Sequence, residues 1–124
     1  MRRAHGERGQ ATVEAALVLP VVTFFLLGVV QIGLVVRAQV LVTHVAREAV
    51  RAAAVDADPE AARRAATSSS SLDADRMKVL VQGREGPGSR VRVTVTYSAP
   101  TDVPLVGNLL GDVTLQATAT MRVE

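Results

Sequence analysis

The feature that most constrains this chain is an uncharged apolar run of 22 residues, from Ala15 to Val36. As an α-helix it would reach roughly 33 Å, which is enough to cross a hydrocarbon core of about 30 Å. Thr23 and Gln31 supply its only hydrogen-bonding side chains. The run is longer than the core of a removable secretory signal, which has about 7–15 apolar residues. We therefore expect residues 10–36 to form a membrane-spanning helix.

The charge of the chain is concentrated in a short basic leader, residues 1–9. The formal net charge of the 124 residues is +2, and Arg2, Arg3 and Arg8 with Glu7 account for all of it. From Gln10 onward, 11 basic side chains balance 11 acidic ones. A basic segment before a span favours a cytoplasmic N-terminus, so the C-terminal part is expected on the extracytoplasmic side of the cell membrane. A basic excess confined to the leader indicates no nucleic-acid-binding face.

Beyond the span, residues 37–66 are expected to form an amphipathic helical extension and a short second helix. Apolar positions recur at spacings of three and four, at Leu41, Val45, Ala49 and Ala52, while Gln39, Thr43, Arg47 and Arg51 follow another side. Two interpretations of the apolar stripe are open: a seam for neighbouring subunits, or a surface that packs on the chain's own sheet. Asp58 is a candidate N-cap, with Pro59 beginning a second helix that ends at Ala66.

The last third of the chain changes to a period of two. Apolar residues alternate with polar ones over 91–97 and 113–123, and more weakly over Met77–Gln82. Glycines between the first two strands predict a hairpin, and Pro100–Gly111 is expected to be a loop with one helical turn. The predicted fold class is α+β: a long N-terminal helix followed by a small antiparallel sheet of about three strands. In this interpretation residues 67–76 are a Ser-rich loop and residues 77–124 a small extracytoplasmic β domain.

No group of residues in the sequence indicates catalysis. Ser68 to Ser71 have no neighbouring His, the acidic pairs lack calcium-loop spacing, and Gly86-Pro87-Gly88 lacks the helix and Lys of a phosphate-binding loop. The chain has no Cys. We therefore expect no enzyme activity, metal, cofactor or small-molecule substrate.

One ionisable residue, Glu14, lies at the start of the apolar run. A carboxylate at the edge of hydrocarbon is costly unless it is paired, which makes it a candidate functional group. It could also be an interfacial residue favoured by the positive N-terminal end of a helix. Gly9 lies five residues before it, directly after the basic leader.

The pattern Gly-xxxx-Glu ahead of a membrane helix resembles the processing site of type IV prepilins. The sequence from Arg8 to Pro20, with the helical stretch up to about Ala54, resembles the TadE-like family of pseudopilins from tight-adherence (Flp-type) pilus systems. By this resemblance, a prepilin peptidase would cut after Gly9 and leave Gln10 as the mature N-terminus. Glu14 would then pair with the new amine during assembly.

The resemblance implies that the partners are the bilayer, other pilins or pseudopilins, and the pilus assembly machinery. Ala15 stands where Flp pilins have an aromatic residue, and the chain is longer than a major pilin. Both departures favour a minor pilin or assembly factor. The alternative is an unprocessed single-pass anchor that displays a small extracytoplasmic protein-binding domain. A third interpretation is a secreted enzyme or lipid-interacting protein, released by a cut after the apolar run, so that the fragment begins near Arg37.

Overall fold

A computed structural model of the protein describes residues 4–124, with side chains from Gly6 onward. Its longest element is one helix, α1, that runs without interruption through 52 residues and is about 78 Å long. The main elements in chain order are α1 (Ala4–Val55), α2 (Pro59–Ser68), β1 (Met77–Gln82), β2 (Arg90–Ala99), α3 (Gly107–Leu110) and β3 (Val113–Arg122). A 3₁₀ turn, Ala74–Arg76, precedes β1. The predicted α+β class is confirmed.

The three strands form one antiparallel sheet in the order β1-β2-β3. Val79 pairs with Val95, and Val95 pairs with Ala117. The alternation in the sequence matches the burial, because Val91, Val93 and Val95 are completely buried while the residues between them face outward. The first two strands form the expected hairpin.

The outer half of α1 covers the inner face of the sheet. Its buried residues are Val42, Val45, Ala46, Ala49, Val50, Ala53 and Ala54, and they share one core with the inward valines of β2. The apolar stripe of α1 therefore packs on the chain's own sheet, which was one of the two open interpretations. The predicted stripe was slightly misplaced, since Leu41 and Ala52 are only half-buried. The sheet contacts the side of α1 that carries the buried residues named above. Tertiary packing decides which helix residues lie at the centre of that contact.

The second helix begins as the sequence predicts. Asp58 is its N-cap, and a side-chain oxygen of Asp58 accepts a 3.0 Å hydrogen bond from the backbone N–H of Glu60. The predicted start of the Ser-rich loop, at residue 67, was wrong, because Thr67 and Ser68 form the last residues of α2. Their hydroxyls donate to main-chain carbonyls one turn back, including that of Arg64, and so take part in the hydrogen bonding of the last turn of α2.

Two hydrogen bonds fix the position of β3 along α1. The side-chain amide of Gln39 donates to the carbonyl of Gln116 at 3.3 Å, and the backbone N–H of Glu124 donates to the carbonyl of Ala54 at 3.4 Å. The strand therefore runs parallel to the helix. The packed region reaches down to Gln31, whose side chain is only 5 % exposed although it lies within the apolar run.

Candidate functional site

The three residues singled out near the N-terminus, Gly9, Gln10 and Glu14, lie on one exposed stretch of α1. The helix is continuous across the bond between Gly9 and Gln10. The hydroxyl of Thr12 donates to the carbonyl of Arg8 at 2.9 Å, which is a contact within the helix. The structure thus places the proposed cleavage residue and the carboxylate on one helical segment of less than two turns.

Gln10 and Glu14 are four residues apart and therefore share a helix face, with about 6 Å between their positions along the axis. Side chains of a helix lean toward its N-terminus, so the face carrying Glu14 covers the turn that contains Gln10. A cut after Gly9 would convert the backbone nitrogen of Gln10 from an amide into a cationic amine. That amine would lie one turn from the carboxylate.

The carboxylate of Glu14 is exposed and, among the side chains that the structure describes (residues 6–124), has neither a hydrogen-bond partner nor an ion-pair partner. The next charged residue toward the C-terminus is Arg37. Glu14 therefore stands at the boundary of a long segment without charge. In lipid an isolated carboxylate is strongly disfavoured, and a cationic partner would reduce that cost.

The burial of Gln31 helps to place Glu14 along the span. Gln31 lies seventeen positions after Glu14, which corresponds to about 26 Å along the helix axis. Between them the side chains are almost all exposed and apolar, and α1 is long and apolar enough to cross a membrane. If the domain rests at one surface of the bilayer near Gln31, Glu14 lies close to the opposite boundary of a hydrocarbon core of about 30 Å.

Packing within the chain does not require glycine at position 9. A Cβ placed on Gly9 would meet no atom within 4 Å. Glycine in the middle of a helix costs roughly 0.5–1 kcal/mol relative to alanine. The fold therefore gives no reason for a glycine here, and a requirement for it would have to come from a partner such as a peptidase.

The basic residues expected to set the membrane orientation are only partly described. Arg8 is exposed on the first turns of α1. Arg2 and Arg3 lie outside the described residues. The cytoplasmic location of this end stays a prediction from the charge pattern.

At the other end of α1, the helix is capped by a residue that no local sequence pattern predicts. The guanidinium of Arg84, in the turn between β1 and β2, donates to the main-chain carbonyls of Ala53 and Asp56. The last carbonyls of a helix lack partners within the helix, and the helix dipole favours a cation there. Because about 30 residues separate donor and acceptors, no local motif could reveal this contact.

Within the described part of the chain, no group of three His, Cys, Asp or Glu side chains could hold a metal ion. The exposed acidic residues near α2 instead cap helices and turns: Asp56 accepts from the backbone N–H of Asp58 at 3.0 Å, and Asp73 accepts from that of Asp75 at 3.1 Å. These carboxylates therefore stabilise local backbone structure.

The protein has one long apolar helix that carries a small antiparallel sheet, with a glycine and a carboxylate exposed near its N-terminal end. This arrangement is that of a single-helix protein suited to membrane anchorage. Residues 9–51 match the family model described as TadE-like protein. No curated protein and no solved structure matches the chain. The chain thus carries a TadE-like segment, and the similarity predicted for Arg8 to about Ala54 is confirmed over residues 9–51. This family is a pilus-associated structural family, and the match indicates a part in Tad pilus assembly.

The match covers most of α1 and ends at Arg51, before the sheet begins. The part of the chain that resembles the family is thus the exposed helix together with the face that packs on the sheet. The β-sheet region, by contrast, lies outside the match.

Proposed function

We propose that this protein is a pseudopilin or minor pilin that takes part in assembly of a tight-adherence (Flp-type) pilus, anchored by α1. The observation that carries the proposal is that the family match begins at Gly9 and includes Glu14. These are the two residues at which a prepilin peptidase and a neighbouring subunit would act. They lie on an exposed, regular helix, where a partner can reach them.

In this proposal the peptidase cuts after Gly9 and releases the basic leader. Gln10 then carries a cationic α-amine at the start of the helix. The carboxylate of Glu14 attracts this amine, either its own or that of an adjacent subunit, in a medium where opposite charges interact strongly. The attraction offsets part of the cost of placing each charge near hydrocarbon and sets the axial register between subunits.

The proposed topology has the leader in the cytoplasm and the α+β domain on the extracytoplasmic side. The basic leader before the span supports this orientation. The domain would be held at the membrane surface, since its packing against α1 begins at Gln31. Residues 10–36 would form the membrane segment and residues 77–124 the extracytoplasmic β domain.

The decisive experiment compares Glu14→Gln with Glu7→Gln. Both substitutions remove one exposed carboxylate and preserve side-chain size, but Glu7 belongs to the leader that processing would remove. We expect Glu14→Gln to reach the membrane at the wild-type level while losing co-purification with pilus assembly proteins and reducing piliation. Glu7→Gln should behave as the wild type.

Wild-type piliation and co-purification in Glu14→Gln would contradict the pairing mechanism. The unprocessed anchor makes a different prediction, namely that the membrane-extracted protein has Met1 at its N-terminus and is insensitive to both substitutions. N-terminal sequencing of the extracted protein separates the two functions.

A further inference from the structure

The loop between β2 and β3 presents three large apolar side chains to the outside. Leu105, Leu109 and Leu110 are 61 %, 72 % and 65 % exposed. From residue 103 to residue 111 the loop carries no charge, and Asn108 is its one polar side chain. The feature is a compact apolar tip formed by three leucines of one uncharged loop.

This tip is held in a defined conformation. Val103 and Val106 are buried beneath it, at 7 % and 5 % exposure. The backbone N–H of Gly107 donates to the carbonyl of Val103 at 3.0 Å, and the hydroxyl of Thr101 donates to the carbonyl of Gly111. Because the two valines are buried and the hydrogen bonds hold the backbone, the leucines of the loop point to the outside.

Backbone strain also accompanies the exposed leucines. Leu105 has a φ of +69°, in the left-handed region that side chains disfavour. Such strain persists only where surrounding contacts hold it, and it concentrates at functional segments.

The tip lies level with the outer part of the apolar run of α1. The hydrogen bond between Gln39 and Gln116 fixes the level of β3, and Val113, the first residue of that strand, is three residues closer to the loop. Three strand residues cover about 10 Å, the height of six or seven helical residues. The loop therefore begins near the level of residue 32 of α1. Consistent with this, Pro100 and Asp102 share a cleft with Gln31 and Leu34.

At that level the neighbouring helix surface is itself apolar and exposed. Val29, Val30 and Leu34 are each about half exposed on α1. If α1 crosses the bilayer, this region is the outer edge of its lipid-facing surface, and the leucine tip continues it sideways. The location of the tip beside the lipid-facing surface of α1 makes lipid its partner. Because the tip carries no charge, it suits the boundary of the acyl chains more than the charged headgroups.

We propose that the β2–β3 loop is a second membrane contact, in which Leu105, Leu109 and Leu110 insert into the outer boundary of the bilayer beside α1. This inference rests on the proposed anchorage of α1. It goes beyond anchorage because it fixes the tilt and rotation of the sheet relative to the membrane surface through two points of contact.

The chain has no Trp, so single tryptophans report on the loop without background. The experiment reconstitutes the full-length chain with Leu109→Trp in phosphatidylcholine vesicles, with and without lipids brominated on their acyl chains. We expect a blue-shifted emission, loss of most intensity in brominated vesicles, and several-fold weaker quenching by aqueous acrylamide than in a water-exposed control.

Two control variants give the fluorescence expected for a tryptophan in lipid and for a tryptophan in water. Phe25→Trp replaces an exposed aromatic residue in the middle of the span, and Leu80→Trp replaces an exposed residue on the outer face of the sheet, paired with Thr94. We expect lipid quenching for the first and acrylamide quenching for the second. Circular dichroism of each variant shows that it is folded.

Acrylamide quenching of Leu109→Trp with lipid quenching of Phe25→Trp would overturn the loop contact and leave the anchor intact. Acrylamide quenching of both would overturn the anchor and the loop contact with it. Protection of Leu109→Trp from both quenchers would assign the tip to a second copy of the chain, which also overturns the lipid contact.

Discussion

The guanidinium of Arg84 donates a hydrogen bond to the main-chain carbonyl of Ala53, and so joins the β1–β2 turn to the end of α1. A second bond from the same nitrogen reaches the carbonyl of Asp56. One cation thus satisfies a carbonyl of the last turn of α1 and a carbonyl just beyond the helix, and it lies where the helix dipole favours positive charge.

Removal of this cap should destabilise the folded domain. We expect Arg84→Ala to lower the free energy of unfolding by about 1–2 kcal/mol, because it removes a charged donor from two carbonyls. Chemical denaturation of the full chain in detergent micelles, followed by far-ultraviolet circular dichroism, measures the change. Arg92→Ala removes an exposed arginine of β2 and serves as the matched control. Equal midpoints for the two variants would show that Arg84 does not stabilise the helix end.

The core between α1 and the sheet should be sensitive to a small loss of volume. Val93 is completely buried and lies between Val81 and Ala119 in the sheet. We expect Val93→Ala to cost about 2–3 kcal/mol, from lost apolar burial and the cavity that remains. Thr120→Ala, on the outer face, should change stability by less than about 0.5 kcal/mol. The same denaturation assay distinguishes them, and a similar small effect of both would mean that the helix does not pack on β2.

Gly83, at the start of the β1–β2 turn, should not tolerate a side chain. It has a φ of +82°, and a Cβ there would approach the carbonyl oxygen of Arg90 to 2.8 Å. We expect Gly83→Ala to cost about 1–3 kcal/mol. Gly86→Ala shares the positive φ, at +131°, but meets nothing within 4 Å, so its loss should be smaller. A larger loss for Gly86→Ala than for Gly83→Ala would contradict the close contact.

Processing after Gly9 makes a prediction that is independent of stability. We expect Gly9→Leu to retain the leader, whereas Gly6→Leu should be cut as the wild type is. Both glycines lie on α1 with open space around them, and leucine is a better helix former than glycine, so neither change should disrupt the helix. Intact-mass spectrometry of the membrane-extracted proteins reads the result. Retention of Met1 on the wild-type protein would refute cleavage.

Much of the architecture could be predicted because its signals are local. The alternation that ends at Tyr97 predicted a strand with one buried face, and Asp58 followed by Pro59 predicted a helix start. The base of α1 was also readable from local signals, since Gly9 and Glu14 belong to one short motif. The roles of these two residues stay predictions, because each depends on a molecule other than this chain.

What the sequence missed depends on contacts between distant segments. Gln31 belongs to the apolar run, and its burial under the domain follows from how far the sheet extends along α1. The cap by Arg84 and the height of Leu109 at the tip of the β2–β3 loop have the same origin. Periodicity describes which residues share a face, but the relative position of helix and sheet is set by packing.

The unbroken course of α1 from Ala4 to Val55 has a mechanical consequence. No flexible linker separates the base of the helix from the residues that hold the sheet. An axial force applied near Gln10 would therefore be transmitted along a stiff rod. Any outward displacement of the N-terminal end of α1 would move the sheet by the same distance.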